Sequence, residues 1–257
     1  NYGKYAVYPG GAFETHLKPF TEGAFKLNGA TGMASAVMPY YTISFDQTGE
    51  NVGNSYNKEI ITDMLRNEAG YDGVVCTDWA ITQKYEYVNI HGGKPWGVEH
   101  LTEAERHYLV MMAGCDQFGG NDEKGPVIAA YRMWCEEFGE ESARARFEHS
   151  AKKLLLNFFR TGLFENPYLD PSETIRTMSS KEFREHGYLA QLKSVVMLKN
   201  HENTLPVSGQ PKVYIPKRHI PNVYNLAGKV TVAGSYDDPI DHAIVNKYFE
   251  TVTQPQD

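Results

Sequence analysis

Asp78 is the residue in this chain best placed to do chemistry. It ends the run Gly73-Val74-Val75-Cys76-Thr77-Asp78-Trp79, in which a short apolar strand leads straight into a carboxylate. Gly70-Tyr71-Asp72-Gly73 supplies the turn before it, and β-branched Val74 and Val75 suit a buried parallel strand. Parallel α/β folds collect their functional groups at the carboxyl ends of such strands. By position alone this carboxylate is a nucleophile, a metal ligand, a substrate clamp or a cap for the next helix.

Other groups capable of chemistry are less well organised. His91, Glu99 and His100 fall in one loop with Trp96 between them. They lack the spacing on a fixed scaffold that a metal site needs, such as two histidines four apart on a helix, so no metal is expected. Asp116 ends a strand-like stretch and fits either a pocket floor or a solvated cap. Gly92-Gly93 and Gly119-Gly120 are too isolated for phosphate cradles. Cys76, Cys115 and Cys135 are odd in number and without ligand spacing, so free thiols are expected.

The elements that must position Asp78 alternate between strand and helix. Helical spacing through Leu17, Phe20, Ala24 and Leu27 marks a helix over 14–27, and Ala34 to Met38 reads as a strand closed by Pro39. Asn57 suits an N-cap for a helix whose apolar face is Ile60, Ile61, Met64 and Leu65. After the Asp78 strand and a loop over 80–101, Thr102-Glu103-Ala104-Glu105 has the capping-box pattern. A short strand around 115–118 and helices over 124–138 and 141–161 follow. Gly162 reads as a C-cap, and Asn166 to Pro171 is stiff and turn-rich. A second capping box, Ser179 to Glu182, begins another helix. Val195 to Leu198 and Val213 to Ile215 read as strands, and 239–249 as a helix. The pattern is that of an α/β protein with βα units and a parallel sheet.

The bulk numbers fit that class. The 257 residues are 41% hydrophobic and 22% charged, as in an ordinary globular chain. A net charge of −7 argues against a nucleic-acid partner, which needs clustered Lys and Arg. No apolar run approaches the roughly 20 residues of a membrane-spanning helix. Opening on Asn1 inside a Gly/Pro-rich stretch, the sequence reads as part of something longer, so it does not indicate a compartment; oligomeric state is equally open.

Three collinear stretches resemble glycoside hydrolase family 3. Asn57 to Arg66 running into Tyr71-Asp72-Gly73-Val74-Val75-Cys76-Thr77-Asp78-Trp79 is similar to that family's nucleophile region. Phe159-Arg160-Thr161-Gly162-Leu163-Phe164-Glu165-Asn166-Pro167-Tyr168 resembles the segment leaving its barrel domain. Ser194-Val195-Val196-Met197-Leu198-Lys199-Asn200 with Leu205-Pro206 resembles the first strand of its second domain. The resemblance implies the C-terminal part of a (β/α)8-type barrel over 1–162, a linker over 163–178 and the start of an α/β sandwich over 179–257.

It further implies a retaining, exo-acting β-glycosidase of β-glucosidase type, working on non-reducing terminal sugars without a cofactor. Asp78 would be its nucleophile, with Met38, Tyr41 and Trp79 lining the terminal-sugar pocket. A carboxylate suits that step because it can attack an oxocarbenium-like carbon and later leave it, with a second carboxyl about 5–5.5 Å away serving as acid and then base. That acid/base is expected beyond Asp257, and the family's sugar-gripping Lys-His pair before Asn1; Lys4 precedes Tyr5, not His. Glu14, Glu99 and Glu165 are expected at the surface or in caps. Residues 1–257 alone are expected to be inactive. The competing expectations are a phosphorylase or N-acetylhexosaminidase on the same barrel, and a catalytically degenerate sugar-binding paralogue.

Overall fold

The computed structural model describes residues 3–83, 93–178, 180–225 and 228–252. His91, Gly92 and Ser179, each singled out above, lie outside the described residues. The chain divides into two compact units, Asn1–Pro167 and Tyr168–Asp257.

In the first unit the Asp78 strand takes its place beside two neighbours. Strand β1 (Tyr5–Ala6) comes first, then helix α1 (Phe13–Lys18), continued by a wide, π-type turn over Pro19–Ala24. Strand β2 is Ala36–Val37 and β3 is Ile43–Ser44. The helix Glu59–Glu68 is also wide-turned, and its last turn closes through an Ala69 N–H to Met64 carbonyl bond, five residues back. The Asn57 side chain accepts the Ile60 N–H at 3.1 Å, so the expected capping residue does cap. Strand β4 (Val74–Val75) pairs in parallel with β2, Ala36 opposite Val74 and Val37 opposite Val75. On its other side a single parallel bridge joins Cys76 to Gln117. The third strand read from sequence around 115–118 is thus reduced to one bridge. A second parallel pair, β1 with β3, has no counterpart among the strands the sequence predicts.

Helix α2 (Glu103–Ala113) opens with a complete capping box. The Thr102 hydroxyl accepts the Glu105 N–H and the Glu105 carboxylate accepts the Thr102 N–H. Helices α3 (Lys124–Phe138) and α4 (Glu140–Arg160) follow within a residue of their expected bounds. The core gathers Tyr41, Tyr56, Ile61, Tyr71, Val75, Ile81, Val98, Val110 and Cys115. It is rich in tyrosine, and the buried hydroxyls find partners: Tyr56 donates to the Ile81 carbonyl at 2.8 Å and Tyr71 to the Val74 carbonyl at 3.3 Å. All three cysteines are free thiols.

Asp116 is not a solvated cap. Its buried carboxylate takes Arg66 Nη2 at 2.6 Å, the Val75 N–H at 3.0 Å and the Ser150 hydroxyl at 2.7 Å. The same Arg66 reaches the carbonyls of Gly73 and Tyr71, tying the turn before β4 to the helix preceding it.

His107 is fully buried, tilted over the Phe118 ring at 4.3 Å. Its Nδ1 lies 2.9 Å from the Glu103 carbonyl, an oxygen that can only accept, which assigns the proton to Nδ1. Burial lowers the His107 pKa, and burial followed by the charge of Lys153 lowers that of His149. Both imidazoles titrate near their ordinary value of about 6.5 once unfolded, so the unfolded chain binds more protons than the folded one as pH falls. Stability is therefore fully present above that value and declines below it. The urea midpoint should fall between pH 7.5 and 5.5, and His107→Leu should flatten part of that slope. An unchanged slope would show that His107 titrates normally.

The second unit carries helices α5 (Pro171–Met178) and α6 (Lys181–Ser194). Ser180 caps α6 by accepting the Phe183 N–H, the role expected of Ser179. Strand β5 is Lys212–Tyr214. Strands β6 (Arg218–Ile220), β7 (Val223–Tyr224), β8 (Val230–Val232) and β9 (Ser235–Asp237) follow it. Helix α7 (His242–Val245) and strand β10 (Glu250–Val252) complete it. β10 pairs in parallel with β5, while β6–β9 and β7–β8 are antiparallel pairs. Two expectations change here. Val195 to Leu198 is not a strand but an exposed, unpaired stretch, with Leu198 92% exposed. The helix expected over 239–249 shrinks to four residues. Among the described residues no helix is long and apolar enough to cross a membrane.

Candidate active site

Asp78 stands just past the carboxyl end of β4, where the chain turns away from the sheet. The residue is buried, and its Oδ1 accepts the Trp79 N–H at 2.6 Å. The Tyr41 hydroxyl donates to the Trp79 carbonyl at 2.5 Å and lies against the Asp78 carboxylate. Burial first, then the negative charge of Asp78 and a hydrogen bond to it, holds the Tyr41 phenol well above its usual pKa. Tyr41 therefore stays a proton donor throughout the range in which proteins work. The Cys76 thiol is pushed up by burial and by Asp78.

The turn after Asp78 is braced at several backbone polar groups. Gly119 accepts the Ala80 N–H at 2.8 Å, the Ala80 carbonyl accepts the Gln83 N–H, and Tyr56 holds the Ile81 carbonyl. Arg106, itself buried, donates to the Thr82 carbonyl at 3.1 Å, to Val98 at 3.1 Å and to Glu99 at 2.9 Å. Ala80 has φ +53°, a left-handed conformation that costs a non-glycine residue roughly 1–2 kcal/mol. Such strain persists only where surrounding bonds over-determine it, as they do here.

Of the four residues singled out from sequence, Asp78, Tyr41 and Trp79 are joined by hydrogen bonds. The Tyr41 ring is buried rather than open to a pocket, edge-on to Tyr40 and Trp96, with Lys94 Nζ 4.7 Å from its centroid. Only its hydroxyl reaches the carboxylate. Met38, at the end of β2, is half-exposed and lines an apolar groove of about 240 Å³ with Phe13, Leu17, Ile60 and Met64. Trp79 is 61% exposed. Glu99 pairs with Lys4 at 2.6 Å and accepts the Gly97 N–H, which gives that carboxylate a loop-tying role. Tyr56, Arg106, Thr77 and Gly119 were not found from sequence. The Gly119-Gly120 pair is the one local signal among them, and its glycines serve close backbone approach rather than a phosphate.

No protein-family model matches the chain. It is 40% identical over 207 residues, 80% of its length, to a probable β-glucosidase C of Aspergillus flavus. It is 37% identical over the same share of its length to a β-glucosidase C of Emericella nidulans. It spans about a third of the length of the curated relatives it matches, 31% in the Aspergillus case. Among solved structures, a β-glucosidase of Erythrobacter marinus superposes with TM-score 0.62 at 20% identity, over 92% of this chain and 29% of its own. A family 3 β-N-acetylglucosaminidase of a Paenibacillus species superposes with TM-score 0.60 at 19% identity, over 97% of this chain and 43% of its own. At those identities the likeness establishes the α/β fold and nothing about a substrate.

Proposed function

We propose that the full-length protein is a retaining, exo-acting β-glucosidase and that Asp78 forms its covalent glycosyl-enzyme intermediate. The observation that carries the reading is the Asp78 carboxylate at the end of parallel strand β4, oriented by the Trp79 amide and flanked by the Tyr41 hydroxyl. The β-glucosidase name of the 40% identical relative supports the substrate class.

In the first step the free Asp78 oxygen attacks the anomeric carbon from the face opposite the leaving group. The glycosidic C–O bond breaks, and the departing oxygen takes a proton from the general acid. Water then attacks the same carbon, gives its proton back to that residue, and Asp78 leaves as a carboxylate. A nucleophile must be fixed in direction yet keep one oxygen lone pair for the sugar. Spending Oδ1 on a backbone amide does that. Tyr41 stabilises the carboxylate as it is regenerated, and Trp79 and Met38 wall the subsite of the terminal sugar.

The general acid belongs to the part of the protein beyond this sequence, so activity is assigned to the whole enzyme and not to residues 1–257. In the same proposal 1–162 is the C-terminal part of a barrel, 163–178 a connection that includes α5, and 179–257 the beginning of an α/β sandwich.

A 2-deoxy-2-fluoro-β-glucosyl fluoride tests the intermediate directly. Incubated with the full-length enzyme and digested, it should add one fluoroglucosyl unit to the peptide containing Asp78, seen by mass spectrometry. A label on any other carboxylate refutes the assignment. Absence of both label and turnover would identify a sugar-binding paralogue, and turnover that requires phosphate would identify a phosphorylase.

A further inference from the structure

Trp79 owes its orientation to two glycines 40 residues away. The Gly119 N–H donates to the Thr77 hydroxyl at 2.9 Å and the Gly119 carbonyl accepts the Ala80 N–H at 2.8 Å, so the 117–120 turn is bonded on both sides of Asp78-Trp79. The Thr77 N–H completes the contact by donating to Gln117 at 2.9 Å. The indole then lies directly on the glycine backbone. A Cβ at Gly120 would overlap Trp79 Cδ1 and sit 2.8 Å from Cγ and 3.0 Å from Nε1, three atoms of the five-membered ring. One at Gly119 would overlap the Thr77 carbonyl oxygen and approach Trp79 Cε3 at 3.1 Å. Gly120 also has φ +65°, where glycine alone is unstrained. One face of Trp79 is thus seated on bare backbone, although the residue is 61% exposed, which leaves its other face to solvent.

We propose that Gly119 and Gly120 form a shelf that presents Trp79 as a preset flat platform on which a substrate ring stacks. An aromatic side chain has few rotatable bonds, and seating it in advance removes most of the ordering cost that stacking would otherwise carry. A preset platform contributes to holding the ring and little to the bond-breaking step. The two glycines act through Trp79 and are positioning residues. The inference rests on Asp78 being the nucleophile of the same site.

The test is a double-mutant cycle in the full-length enzyme, with an aryl β-glucoside as substrate. Gly120→Ala should raise KM about tenfold, the size of one lost ring-stacking contact, with kcat within about threefold. Trp79→Ala should raise KM at least as much. In the Trp79→Ala background, Gly120→Ala should change KM by less than about twofold, because what it displaces is already gone. Additive effects, or a fall in kcat with KM unchanged, would overturn the shelf. Thr77→Val and Thr77→Ser provide a second pair in case Gly120→Ala does not fold. Serine keeps the hydroxyl that accepts from Gly119 and should leave KM near its original value, while valine should raise it; equal KM values would again overturn the proposal. Failure here with Asp78 still labelled by the fluoro-sugar removes only the shelf, and an unlabelled Asp78 removes the site reading beneath it.

Discussion

Asp78→Asn in the full-length enzyme should lower kcat/KM on an aryl β-glucoside by roughly 10⁴-fold, about 5 kcal/mol of transition-state stabilisation at 1.36 kcal/mol per decade. The substitution is close to isosteric. The Asn amide oxygen can still accept the Trp79 N–H, and the neighbouring Tyr41 hydroxyl can accept as well as donate. The fold should therefore survive with its unfolding midpoint nearly unchanged, and the loss will report chemistry alone. An amide oxygen carries no charge with which to capture an oxocarbenium-like carbon. Asp78→Gly should be as inactive, but azide or formate can enter the space left and restore turnover with the opposite anomeric configuration in the product. Substantial activity in the glycine variant without added anion would remove Asp78 from the nucleophile role.

Arg66→Ala is the second large effect, and it acts on stability. The guanidinium reaches the Asp116 carboxylate at 2.6 Å and the carbonyls of Gly73 and Gly114, with the Asp116 side chain 2% exposed. Removing one member of a buried pair leaves the other charged and uncompensated, which costs about 3–5 kcal/mol. Thermal unfolding of the full-length protein should show that loss as a midpoint lowered by several degrees. Arg66→Met combined with Asp116→Leu should recover only part of it. The Val75 N–H and three backbone carbonyls would still lose their partners, and unmade buried hydrogen bonds carry their own penalty. Full recovery would show that those backbone groups find water.

The parts of this fold legible in the sequence are those whose cause is local. The Thr102 capping box, the Asn57 cap, the lengths of α3 and α4 and the placing of Asp78 after two valines all follow from neighbours within four residues in the chain. What could not be read depends on partners far away. Val195 to Leu198 has every local mark of a strand, but a strand needs a neighbour to pair with, and the described structure gives it none. Tyr5–Ala6 has little strand character and becomes one because Ile43–Ser44 lies beside it. Asp116 fits either a pocket floor or a solvated cap by sequence, and only Arg66, 50 residues earlier, makes it half of an ion pair.

The candidate site divides the same way. Asp78 and Trp79 are adjacent in sequence, and Tyr41 was indicated only through family resemblance. The groups that hold them, Tyr56, Arg106 and Gly119, come from separate elements with no shared motif. A side chain that works by fixing someone else's carbonyl leaves no pattern of its own.

Arg106 has one further consequence. By gripping Thr82 on one side and Val98 with Glu99 on the other, a single guanidinium sews shut both ends of the intervening stretch. Thr82, Val98 and Glu99 are thereby kept at a fixed spacing beside the Asp78 turn, so one substitution at position 106 would release three carbonyls and two remote lengths of chain at once.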